Sequence, residues 1–226
     1  MARSPDFPDA VRTRQTDIPL GGSFALVADE LRDRKVCDLG CNQGHYLQFC
    51  GPGSLGLDVA AESVSACQAR GLSAQRHDLN ILPLPISDEA FEVVLLSHVL
   101  EHVQAPLAML RECNRIVQPE GKLVVGLPIE DGLYSRLRMD YFGGGEGHLY
   151  SFSLPNLDKL LRLCGFVRER VICHLPRLGN RPSVWNERLN RLLGTKLYSL
   201  SAAYWYVARK VGHPVADHQL SDYFSR

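Results

Sequence analysis

The run FEVVLLS, Phe91 to Ser97, constrains the chain more than any other stretch. Its apolar side chains fall on both alternating faces, so as a strand it must be covered on both sides, the condition of an interior strand in a parallel sheet. Shorter runs of the same kind lie on either side of it: Val36–Leu39, Ser54–Asp58 and Leu72–His77 before, Leu123–Leu127 and Phe166–Cys173 after. Helical patterns separate them. One begins at Gly21, with Ser23 as a cap and Phe24, Leu26, Val27 and Leu31 on its apolar face. A short one runs through Tyr46, Leu47 and Phe49, and another spans Ala60–Arg70 with Gly71 just past its end. Pro106 opens the next, striped by Leu107, Leu110 and Ile116, and Ser153 begins one that Gly165 ends.

Strands alternating with helices at this pitch predict crossover connections. The expected architecture is α/β, a Rossmann-like doubly wound sheet of seven mostly parallel strands with a final antiparallel strand. PEGK is expected to make a tight turn into Leu123–Leu127. NERLNRLLGTKLYSL reads as helical. The aromatic and β-branched core of SAAYWYVARK favours the last strand, near 203–210 and beside Phe166–Cys173; the alternative is an amphipathic membrane-surface helix, since Tyr204, Trp205 and Tyr206 suit an interface. The division expected is a flexible arm over 1–20, a core over 21–174, and an extension over 175–226.

Composition removes several function classes. Acidic and basic residues balance at 25 each, so no global charge argues for nucleic acid or a membrane surface. A local bias remains, with eight Lys/Arg against two Asp/Glu between Arg162 and Lys196; it reads as a solvated basic face, or as a contact for an anionic substrate or partner. The seven cysteines form no CxxC pair, which points to buried thiols in a reducing compartment. MARSPDFPDAVRTRQ has no apolar core of signal-peptide length, and no apolar run is long enough to span a bilayer. The expectation is a soluble cytoplasmic protein.

Candidate chemistry gathers at the strand ends. Asp38 closes the first strand, Asp58 the second, and Asp78 follows the third, so three carboxylates should line one rim of the sheet, where doubly wound folds bind ligands. Asp58 suits ribose hydroxyls, and Asp78 suits an exocyclic amine. Between them VCDLGCNQGHYL makes a loop in which Gly40 and Gly44 allow close approach and positive φ. Asn42 stands between these glycines as the non-glycine residue that best tolerates the left-handed region. His45 occupies the third-glycine position of a pyrophosphate loop, which disfavours a dinucleotide.

With these residues in view, the chain resembles a class I S-adenosylmethionine-dependent methyltransferase of the small-molecule and quinone-pathway-like branch. VCDLGCNQG resembles the family's D-x-G-C-G-x-G motif, LGLDVAAESV its ribose-binding acidic motif, and HDLN its adenine-contacting segment. FEVVLLSHVLEHV, LRECNRIVQPEGKLVVGLP and HLYSFSLPNLDKLLRLCGF resemble its later motifs in order, from about Val36 to Val171. Asn42 replaces a glycine, Glu92 an aspartate, and Glu120 stands where a first glycine is usual.

The resemblance implies S-adenosylmethionine as cofactor. It implies contacts from Gly40, Cys41, Asn42 and Gly44 through backbone, from Asp38 to the loop or the methionyl amine, and from Asp58 to the ribose. Leu57 or Val59, Asp78 and Leu79 would meet adenine, and Ser97 and His98 would lie beside the methyl donor. His102 and His148 are candidate bases, and a structural role for the Glu–His turn is the alternative. No metal is expected; a weaker alternative is a divalent ion on His98, Glu101, His102 and His148, because related quinone-pathway and RNA-end enzymes bind one near this turn.

The activity implied is methyl transfer to an oxygen or nitrogen of a small metabolite, glycan or lipid-linked acceptor. The alternative is a non-catalytic cofactor-binding module that regulates or scaffolds a partner. No nucleic-acid partner and no transmembrane segment are expected, and peripheral membrane contact is open. PIEDGLYSRLRMDYFGGGEGH, with Tyr134, Arg136, Arg138, Tyr141 and Phe142 and a Gly143–Gly145 hinge, is the candidate acceptor flap; a surface loop is the alternative.

Overall fold

The computed structural model describes residues 21–138, 147–175 and 193–216. The expected arm over 1–20, Tyr141, Phe142 and the Gly143–Gly145 hinge, and the helical reading of 186–192 lie outside the described residues.

Seven strands form one sheet: β1 (Val36–Leu39), β2 (Leu55–Asp58), β3 (Ala74–Arg76), β4 (Phe91–Ser97), β5 (Val117–Pro128), β6 (Phe166–His174) and β7 (Ala203–Lys210). Their order is β3-β2-β1-β4-β5-β7-β6. β7 runs antiparallel to both β5 and β6, and the pairings among β1 to β5 are parallel. The helices are α1 (Gly21–Leu31), α2 (Ala61–Ala69), α3 (Pro106–Ile116), α4 (Leu133–Arg138) and α5 (Leu154–Leu163).

The apolar alternation of β4 divides as expected. Phe91, Val94 and Leu96 join the cluster containing Met109, Leu110, Leu157 and Leu161. Val93 and Leu95 join Leu26, Val27 and Leu31 of α1 on the other side. Ser23 lies inside α1 rather than at a cap. The run through Tyr46 shortens to a 3₁₀ turn over Leu47–Phe49.

β5 starts six residues before Leu123, because PEGK does not break the strand. Glu120 takes φ 61, and the register against β4 shifts there, so the extra residues pass as a bulge. The position where the resembling family carries glycine is thus one that needs left-handed backbone. β7 needs a small partner on β5: a Cβ at Gly126 would stand 2.6 Å from the Trp205 ring.

Polar side chains fix the connections. Glu112 of α3 accepts from Leu84 N at 2.6 Å, and Arg115 donates to Ile86 O at 2.7 Å and to Asp88 at 2.6 Å, which pins the proline-rich loop before β4. Lys210, 5% exposed, donates to Asn114 O and Val117 O at 2.9 Å each, so its charge is buried with partners. No helix among the described residues is long and apolar enough to cross a membrane.

Candidate active site

The carboxyl ends of β1, β2 and β4 meet at one rim. Gly40 and Gly44 both take positive φ, 76° and 74°, and Asn42 takes φ 46°, the left-handed geometry expected of it. A Cβ at Gly40 would lie 2.4 Å from Val99 Cγ2, and one at Gly44 would lie 2.6 Å from Leu72 Cδ1. These glycines therefore serve close packing of the loop on the turn after β4 and on the end of α2. Gly40 N and Cys41 N donate to Leu57 O at 2.8 and 3.0 Å, which ties the loop to β2.

Asp58 binds the same loop from the other side. Its Oδ2 accepts from Asn42 N at 2.8 Å and its Oδ1 from Ala60 N at 2.9 Å. Beyond it Val59 is 54% exposed, whereas Leu57 is fully buried, so Val59 is the apolar surface available to a ligand there. Asp78 forms a turn in which Oδ1 accepts from Asn80 N at 2.9 Å, and Leu79 packs partly buried against the core. Asn80 in turn accepts from Gln104 N at 2.8 Å, joining this segment to the start of α3.

Asp38 is different in kind. It is 1% exposed, and neither carboxylate oxygen has a hydrogen-bond partner among the described residues. Burial, with Asp58 nearby, pushes its acid up to about 7. A buried orphan carboxylate is costly, and a cationic ligand group at this rim would relieve it. The neighbouring Cys37 and Cys41 thiols are also pushed up, chiefly by burial, and are held neutral.

The second half of the site follows β4. Ser97 ends the strand and His98 turns it with φ 55, its N donating to Gly126 O at 2.9 Å. The His98 ring lies edge-on to Trp205 at 6.4 Å, and its Nδ1 is 3.5 Å from Glu101 Oε1. Glu101 is 1% exposed, and neither of its oxygens has a hydrogen-bond partner among the described residues. Its backbone carbonyl accepts from Leu149 N at 2.8 Å, and this brings His148 to the turn.

His102 and His148 then meet, their rings 4.8 Å apart at 71°. Each is held from behind at Nδ1: His102 by Gly147 O at 3.2 Å, His148 by Glu130 at 2.5 Å. Ligand atoms of Glu101, His102 and His148 all lie within 4.8 Å of one another, and His98 stands outside that group. Sequence reasoning missed Glu130, though it is the first carboxylate after β5, the same signal that singled out Asp38 and Asp58. It also missed Arg70, which donates to Gln43 O at 2.6 Å and to Gln48 at 2.5 Å and so straps the loop from outside.

Comparison with known proteins agrees with this geometry. Residues 37–125 match the family model described as a methyltransferase domain. An uncharacterised protein of Methanocaldococcus jannaschii is 30% identical over 134 residues, 57% of this chain and 58% of its own length. A ubiquinone biosynthesis O-methyltransferase of Methylococcus capsulatus is 28% identical over 123 residues, 50% of this chain and 52% of that one. The chain thus spans a little over half the length of these relatives.

Among solved structures, a chain of the complex between the Haloferax volcanii Trm112 methyltransferase activator and a methyltransferase superposes with a TM-score of 0.70 at 18% identity. The superposition covers 92% of this chain and 96% of that one. An S-adenosylmethionine-dependent methyltransferase of Archaeoglobus fulgidus follows at 0.63 and 19%, covering 89% and 94%. The strand order, the rim and these likenesses agree: residues 37–125 match a methyltransferase domain, on the Rossmann-like fold shared with S-adenosylmethionine-dependent methyltransferases.

Proposed function

We propose that the protein transfers a methyl group from S-adenosylmethionine to an oxygen or nitrogen of a small metabolite, glycan or lipid-linked acceptor. The observation that carries this reading is Asp38, a buried carboxylate without a hydrogen-bond donor among the described residues, at the end of β1 and beneath the Gly40–Gly44 loop. Asp38 would take the methionyl ammonium, and Asp58 would accept from the ribose while still holding Asn42 N. Val59, Asp78 and Leu79 would contact adenine. When bound, the cofactor supplies an electrophilic methyl group next to Ser97 and His98.

The chain's own task is then to align the acceptor, exclude water and remove a proton. Glu130 can only accept when ionised, so the proton between it and His148 belongs on Nδ1, and Nε2 keeps its lone pair. An acceptor hydroxyl, or the ammonium formed once a neutral amine has been methylated, would pass its proton to that Nε2, while the methyl–sulfur bond breaks and S-adenosylhomocysteine leaves. His102, edge-on to His148, fixes the ring from the other side.

One observation favours a second reading. Glu101, His102 and His148 present a carboxylate and two imidazoles within 4.8 Å of one another, a ligand set suited to a divalent cation, with Glu130 and Gly147 orienting the histidines. A cation there would occupy His148 and replace its role as base. Elemental analysis of the purified protein, with turnover before and after chelation, separates the readings. Metal-free protein whose turnover is insensitive to chelator supports the base; stoichiometric metal with chelator-sensitive turnover supports the cation. Transfer of labelled methyl from S-adenosylmethionine into a cell extract tests the activity itself, and binding of cofactor with no labelled product would leave a regulatory module.

A further inference from the structure

Glu101 is a second buried carboxylate without a hydrogen-bond partner among the described residues, and the cofactor contacts given to Asp38 do not account for it. It lies on the acceptor side of the rim, just after the turn at His98. Among the described residues its ion-pair contact is with His98, whose Nδ1 stands 3.5 Å from Oε1 without a hydrogen bond. His102 and His148 each bring a ring nitrogen within 4.8 Å of it.

The partners behind the two rings fix what they offer in front. Gly147 O can only accept, so the proton of its 3.2 Å contact belongs to His102 Nδ1, as the proton opposite Glu130 belongs to His148 Nδ1. Each neutral ring then leaves Nε2 as a lone pair. With an ionised carboxylate, the group presents three acceptors and no donor. A hydroxyl brings one hydrogen and satisfies one of them, whereas a primary ammonium brings three. It also brings the positive charge that a buried carboxylate lacks.

Spacing points the same way. Acceptors around one tetrahedral ammonium, each about 2.9 Å from its nitrogen, stand about 4.7 Å apart. Ligands of a tetrahedral zinc-sized ion, at about 2.1 Å, stand about 3.4 Å apart. A spread of up to 4.8 Å fits the first spacing, and a small divalent ion would have to draw the group together. The side chains of His148 and His98 are 17% and 36% exposed, so a small molecule can reach the buried carboxylate between them.

We propose that the acceptor is a primary amine, bound as its ammonium by Glu101, His102 and His148. This rests on the methyltransferase reading and narrows its acceptor to nitrogen. Loss of one proton to solvent gives the neutral amine, whose lone pair forms the new N–C bond. The methyl–sulfur bond breaks with its electron pair left on sulfur, and S-adenosylhomocysteine leaves. Positive charge thus moves from sulfur to the nitrogen held at Glu101, so the carboxylate favours the transition state over the neutral amine. The methylated ammonium then passes a proton to His148 Nε2.

The experiment combines the purified full chain, S-adenosylmethionine labelled in its methyl group, and a small-molecule cell extract. Half of the extract is first treated with N-hydroxysuccinimidyl acetate, which acylates primary amines. Treatment should remove most of the incorporation. Glu101→Gln keeps the shape of the side chain and should lower incorporation from untreated extract by about 10² or more. It should keep wild-type S-adenosylhomocysteine affinity and melt at or above the wild-type temperature, because it removes a buried unpaired charge.

Undiminished incorporation after acylation, or wild-type turnover by Glu101→Gln, overturns the proposal. A lower melting temperature of that variant also does so, by giving the carboxylate a structural role. Stoichiometric divalent metal in the purified protein does the same, since the three acceptors would then be its ligands. No incorporation even from untreated extract strikes the methyl-transfer reading itself, and the amine acceptor with it.

Discussion

The backbone N–H of Asn42 donates to Asp58 Oδ2 at 2.8 Å, so the loop after the first strand is held by the carboxylate that closes the second. Asp58 thus shapes the loop, and in the proposed reading it also offers its remaining acceptor sites to a ribose. Asp58→Ala removes both. Cofactor affinity measured by calorimetry should fall roughly tenfold or more with the fold retained, since hydrogen bonds to a charged group are lost. Unchanged affinity would place the ribose elsewhere.

Asn42 itself sits at φ 46. Asn42→Gly should leave melting temperature and cofactor affinity nearly unchanged. Asn42→Val forces a β-branched residue into left-handed backbone and should lower stability by about 1–3 kcal/mol, measured by denaturant unfolding. Equal stability of the two variants would contradict the geometry of the loop.

Asp38 gives a pH dependence. Its folded value of about 7 lies above the ordinary carboxylate range, so the cofactor-free fold holds a proton there that the unfolded chain releases. This group's contribution to stability is full below the ordinary range and is lost as pH rises through about 7. A ligand ammonium favours the ionised form, so S-adenosylhomocysteine should bind several-fold more tightly at about pH 8 than at about pH 6. Asp38→Asn should weaken binding at the higher pH and flatten the dependence, read by calorimetry at both.

The Glu130–His148 pair separates binding from turnover. If His148 is the base, His148→Ala should reduce kcat on the natural acceptor by about 10² to 10⁴ while S-adenosylhomocysteine affinity stays as in wild type. Glu130→Gln should show a smaller loss of the same kind, because it releases the ring without removing it. A wild-type kcat in His148→Ala would remove the base from the account.

Much of this fold was legible because burial writes itself into the sequence. Val36–Leu39 and Phe91–Ser97 are apolar enough that only an interior position suits them, and the aromatic run Tyr204–Tyr206 became part of β7. That β7 also lies against β5, separating it from β6, was not legible, because β-propensity reports that a strand forms and not which edge it joins. PEGK misled for a local reason: its turn signal is spent on a bulge within β5.

The placement of Asp38, Asp58 and Asp78 at one rim was readable because they follow strands in order. The contact of Glu130 with His148 was not, since it is made through a fold-back of 18 residues that carries no periodic signal.

Calorimetry of the purified chain with S-adenosylmethionine, S-adenosylhomocysteine and NAD tests the central claim most directly. The rim of Asp38, Asn42 and Asp58 predicts that both adenosyl-sulfur ligands bind at one site, with NAD much weaker. Failure of both to bind, or tighter binding of NAD, would contradict it.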